Sequence, residues 1–149
     1  YEIRLSLVGS EMCIKRQVHG RQTGFDYPAH VMPLAYKHGV RIQRRTMALS
    51  HMEACALATQ EELGYPEVLL VTSANDSQHM TGSRHFSDEA LDWRTKGPWE
   101  NSMRSRAKKL QFRKRFAELL GDRFTVMLEG SGKAHEHLHS QVKKGRRYP

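Results

Sequence analysis

The spacing of apolar residues changes several times along this chain, and each period names an element. Between residues 45 and 63, Met47, Met52, Cys55, Leu57, Ala58 and Leu63 recur at helical spacing, and Gly64 with Pro66 supplies the stop, which predicts a core helix. Residues 67–73 are a β-branched and leucine run between Pro66 and Ala74-Asn75-Asp76, the pattern of a buried strand, and residues 90–94 read as a second strand. From 102 to 120, Ala107, Leu110, Phe112, Phe116, Leu119 and Leu120 form one face of a basic amphipathic helix closed by Gly121. Residues 123–129 and 137–143 alternate apolar and polar around Gly130-Ser131-Gly132, which predicts a hairpin. Residues 73–86 read as a loop, and residues 1–45 as turns with a short strand at 3–8, where Ile3, Leu5 and Leu7 alternate with polar neighbours. The expected fold class is α+β, a small antiparallel sheet with both helices packed on one of its faces.

Composition narrows the function. At 149 residues the chain has the size of one domain, and 38% hydrophobic residues with a mean hydropathy of -0.68 exclude disorder throughout while leaving only a modest core. The longest apolar run, residues 68–71, falls far short of the roughly 20 residues that cross a bilayer. Lys and Arg number 24 against 16 Asp and Glu, a net charge of +8, so a polyanionic partner is expected; nucleic acid, anionic lipid and cell-wall polymer meet that demand equally. The basic helix places Phe112 and Phe116 on its apolar side, away from its charges, which argues against base stacking and hence against nucleic acid. Cys13 and Cys55 are far apart and belong to no Cys-x-x-Cys pair, as in a reducing compartment. The start, Tyr1-Glu2-Ile3-Arg4, has neither an initiator Met nor a secretion-signal pattern, as in a trimmed or incomplete chain; localisation is left open, and cytoplasmic synthesis with action on the cell wall is compatible.

Nine histidines are many for this length, and His135, His137 and His139 fall together. His85 and Asp92, separated by six residues, run from the loop into the second strand, and His139 lies in the last strand. Two imidazoles and one carboxylate make a three-ligand zinc set, and the absence of nearby cysteine points to a catalytic rather than a structural site. Zinc activates a water only if a neighbouring base takes its proton, and Glu136, three residues before His139, is the candidate. Alternation in a regular strand sends His137 and His139 to one face and Glu136 to the other. Glu136 therefore serves only if the chain bends before His137; otherwise His137 is the nearer acid or base, or the donor to the developing oxyanion.

The runs Val71-Thr72-Ser73, Ser83-Arg84-His85-Phe86-Ser87-Asp88-Glu89-Ala90-Leu91-Asp92 and Glu136-His137-Leu138-His139 resemble the zinc D-Ala-D-Ala carboxypeptidase and L-alanyl-D-glutamate endopeptidase family. Its members are peptidoglycan peptidases and phage endolysins, related in fold to hedgehog and lysostaphin-type domains. The resemblance implies His85, Asp92 and His139 as zinc ligands and Glu136 as catalytic base. It divides the chain into an N-terminal segment of unclear role (1–45), a zinc peptidase-like domain (46–143) carrying zinc on the sheet face opposite the helices, and a basic tail (144–149). Three positions depart from the family pattern. Asp88 stands where Gly is common, Ala74-Asn75-Asp76 replaces the segment that often supplies an Arg, and His137-Leu138 replaces an aromatic pair.

The oxyanion donor or substrate contact stays open among Arg84, His79 and His137. Ser83 serves equally well as a substrate contact or as the residue that fixes His85 through a backbone hydrogen bond. Trp93 and Trp99 read as core anchors, and His19, His30, His38, His51 and His135 receive no role. The expected function is zinc-dependent hydrolysis of a peptide bond in peptidoglycan stem peptides, of lysin or carboxypeptidase type. The alternatives are a hedgehog-like zinc domain that binds without cleaving and a basic nucleic-acid-binding module.

Overall fold

The computed structural model describes residues 34–65, 69–76, 79, 81–96, 103, 105–146 and 148. In chain order these form β1 (Leu34–Tyr36), α1 (Met47–Glu62), β2 (Leu69–Ser73), a 3-10 turn (Arg84–Ser87), β3 (Ala90–Arg94), α2 (Arg106–Leu120), β4 (Phe124–Glu129) and β5 (His137–Val142). The strand expected at 3–8, Cys13, His19, His30 and Trp99 lie outside the described residues.

The chain is α+β as expected, with one correction to its sheet. The strands lie in the order β1-β2-β3-β5-β4 and β1 runs parallel to β2, so the sheet is mixed rather than antiparallel. Leu34, Ala35 and Tyr36 are all buried, and a three-residue strand without alternation leaves no period to read. A parallel pair needs a crossover, and α1 supplies it.

Capping explains where the helices begin and end. Leu49 N–H donates to Thr46 Oγ1 at 3.2 Å to start α1. At its end Tyr65 N–H reaches Gln60 O and Gly64 N–H reaches Glu61 O, a Schellman closure that puts Gly64 at φ 64°. Ser105 caps α2 in the same way by accepting from Lys108 N–H, and Lys109, Phe112, Phe116 and Leu120 form the stripe that α2 buries.

Alternation then gives the sheet two unlike faces. Leu91 and Trp93 of β3, Leu138 and Val142 of β5, and Phe124 and Val126 of β4 share one core with Leu49 and Met52 of α1 and Phe112 and Phe116 of α2. Trp93 packs edge-on against Phe116 at 5.7 Å, and its indole N–H donates to the buried Ser140 Oγ at 2.8 Å. The residues between these, Asp92 and Arg94, His137, His139 and Gln141, and Met127 and Glu129, belong to the opposite face. No helix among the described residues is long and apolar enough to cross a membrane.

Candidate metal centre

Strand register brings the centre together. Asp92 of β3 sits directly opposite His139 of β5, a cross-strand pair on the face away from the helices. His139 Nδ1 lies 2.7 Å from Asp92 Oδ1, and its Nε2 lies 3.0 Å from Gln141 Oε1. His85 arrives from the 3-10 turn, where Ser83 Oγ accepts from His85 N–H at 3.3 Å and aims the ring, so that Nε2 stands 3.4 Å from the same carboxylate oxygen. One ligand atom from each of His85, Asp92 and His139 falls within 4.8 Å of the others, a group that can hold a metal ion.

The donor chemistry fits a cation. An amide oxygen only accepts, so the contact with Gln141 puts a hydrogen on His139 Nε2 and leaves Nδ1, in the neutral ring, as a lone pair facing a carboxylate oxygen. Two lone pairs meet at that distance only around a positive centre, either a proton or a metal. Burial pushes the Asp92 carboxyl upward, but the hydrogen bonds and charges of His139 and His85 outweigh it and hold Asp92 well below the carboxylate range. Burial lowers His139, and the bonds to Asp92 and Gln141 outweigh that and raise it. His85 Nδ1 is buried without a hydrogen-bond partner, a feature associated with functional sites and costly in an ordinary core.

Of the other candidate residues, His137 joins the centre. Its Nδ1–H donates to His135 O at 2.8 Å, and its Nε2 lies 3.6 Å from Asp92 Oδ1 and 3.4 Å from Glu129 Oε2. The preceding turn holds His135 against Gly130, where a Cβ would come within 2.6 Å of the His135 ring. His79 is a brace: it stacks on His85 with ring centroids 3.9 Å apart and bonds Ala74 O through Nε2 at 3.0 Å. Burial, then the neighbouring His85, lowers its pKa against the opposing pull of Ala74 O and Asp92. Ser83 Oγ makes the backbone hydrogen bond to His85, and Arg84 is engaged by Glu89 at 2.8 Å and by Lys143 O at 3.1 Å.

Glu136 is not brought to the centre. It shares the parity of Leu138, so its side chain enters the helix side of the sheet, where Oε1 meets Lys109 Nζ of α2 and accepts from Thr95 Oγ1 at 2.8 Å, and Oε2 accepts from Gly132 N–H at 2.8 Å. The bend that would turn Glu136 toward His139 is absent. Burial raises this carboxyl, but Lys109, Gly132 and Thr95 together hold it down to about 2.

Several supporting residues went unread in the sequence. Gln141 and Arg94 lie two positions from His139 and Asp92, so strand alternation was a usable signal for both. Asp88 stands where the family pattern has glycine. It adopts φ 53°, the left-handed conformation that favours glycine, and its carboxylate accepts from Gln43 and Arg44 N–H at 3.2 and 3.0 Å and from Asn75 Nδ2 at 3.3 Å. Asp88 thereby ties the site turn to the segment that leads into α1. Comparison of the chain with protein-family models, with curated proteins and with solved structures finds no match.

Proposed function

We propose that the His85, Asp92 and His139 centre holds zinc and that the protein hydrolyses a peptide bond, with peptidoglycan stem peptides as the substrate class. The observation that carries this reading is the convergence of two imidazoles and one carboxylate within 4.8 Å, the donor set of a catalytic rather than a structural zinc site. The ordered resemblance of the Ser83–Asp92 and Glu136–His139 runs to peptidoglycan peptidases supplies the substrate class. Zinc bound there contributes Lewis acidity toward a water and toward the peptide carbonyl.

The proton falls to His137. Its Nδ1–H is committed to His135 O, so in the neutral ring Nε2 carries the lone pair and faces the centre. A proton received at Nε2 lies between the carboxylates of Asp92 and Glu129. From there it is returned to the leaving amine, acid and base work by one imidazole.

A second reading, a zinc domain that binds without cleaving, draws support from the commitment of Glu136 to Lys109. Incubating the zinc-loaded protein with purified peptidoglycan, followed by mass analysis of the products, separates the two. Cleaved stem peptides are expected, with turnover falling roughly 10²- to 10⁴-fold in His137→Ala at unchanged zinc content. Intact stem peptides with a fully loaded centre would favour the binding domain.

A further inference from the structure

Among the described residues, the three strands that carry the centre contribute one strong cation to its face. Among β3, β4 and β5, Arg94 is the single arginine or lysine, and its register partner is His137, which in turn pairs with Glu129. Arg94, His137 and Glu129 thus form one row across the three strands, and Asp92, His139 and Met127 form the next. Other cations nearby are engaged: Arg84 by Glu89, Lys109 by Glu136, and Lys96 by Lys133 O. Arg94 is half-buried and has no hydrogen bond or ion pair among the described residues.

A half-buried guanidinium without an acceptor, on the working face of a sheet, is prepared for an anion from outside the fold. Its planar fork matches a carboxylate with two parallel hydrogen bonds. Asp92 lies two residues along the same strand and His139 on the diagonal, a separation of about 7–8 Å that long side chains bridge. That distance is about two residues of extended peptide.

We propose that Arg94 is a substrate-anchoring residue, holding a carboxylate of the peptide about two residues from the bond acted on at the centre. The identity of the ligand as a peptide rests on the peptidase reading; the availability of Arg94 does not. The carboxylate is either the chain terminus, as in a carboxypeptidase substrate, or an acidic side chain, as in an endopeptidase substrate.

Binding measurements decide it. Three probes are titrated by NMR into zinc-loaded and zinc-free protein: an acetylated alanine tripeptide with a free carboxylate, the same tripeptide amidated, and an amidated tripeptide with one glutamate. One of the two carboxylate peptides is expected to bind about 10- to 100-fold more tightly than the plain amide. Which one it is distinguishes a terminal from a side-chain anchor. Arg94→Gln should abolish the preference and Arg94→Lys should retain part of it. Equal affinities in the wild type, or an undiminished preference in Arg94→Gln, overturn the proposal. An Arg94-dependent preference in a protein that takes up no zinc would leave the anchor standing while the metal reading fell. Full zinc loading with no preference would do the reverse.

Discussion

Replacing Glu136 by Gln tests whether this carboxylate serves the fold or the chemistry. The substitution leaves the Lys109 ammonium, whose side chain is 8% exposed, beneath α2 without its counter-charge. Breaking a buried pair from one side costs about 3–5 kcal/mol, and the lower end, roughly 3 kcal/mol, is expected here. For a domain of this size the melting temperature should fall by roughly 6–12 °C. Because the folded value of the Glu136 carboxyl is depressed, the contribution is fully present above the unfolded value and is lost as pH falls through about 2. Urea unfolding at neutral pH of the wild type, Glu136→Gln, Lys109→Met and the double variant measures it. The double variant should recover much of the single losses, since both charges leave together. Wild-type stability in Glu136→Gln, with turnover down by roughly 10² or more, would instead return Glu136 to the centre.

A metal at the proposed centre would compete with a proton for His139 Nδ1. The raised His139 pKa means that the proton held with Asp92 stabilises the metal-free fold below the ordinary histidine value, and that this contribution is lost as pH rises through the raised value. Zinc retained after dialysis over a falling pH series should therefore drop as the histidines take up protons; zinc retention that does not change on acidification would contradict the geometry. Asp88→Ala combines left-handed strain with the loss of acceptors for Gln43, Arg44 and Asn75. It should cost about 2–4 kcal/mol by urea midpoint, and Asp88→Asn, which tolerates that backbone, clearly less. Equal stability of the two variants would remove the latch.

Local periodicity made most elements legible. The α1 and α2 stripes, the buried run at β2 and the β4–β5 hairpin all lie within one period of their own residues, and Gly64 and Gly121 mark both helix ends. The three candidate ligands were legible because Asp92 and His139 each sit in a strand and His85 follows a capping serine. Three features needed the register. β1 has no period, and its parallel pairing depends on a partner more than thirty residues away. The destination of Glu136 was legible as a strand-parity argument, but its partner Lys109 lies on a helix whose depth no spacing reveals. Alternation places Arg94 on the face of Asp92, but its pairing with His137 is a relation across the sheet that spacing along the chain does not give.

Whether His85, Asp92 and His139 together hold a metal is read from metal content. Protein purified in the presence of zinc and then gel-filtered should carry one zinc per chain by mass spectrometry of the elements, while His85→Ala, Asp92→Ala and His139→Ala, each confirmed as folded by circular dichroism, should each lose most of it, because two remaining ligands hold zinc poorly. A metal-free wild type, or full occupancy in His139→Ala, would mean that these three residues do not form a metal centre.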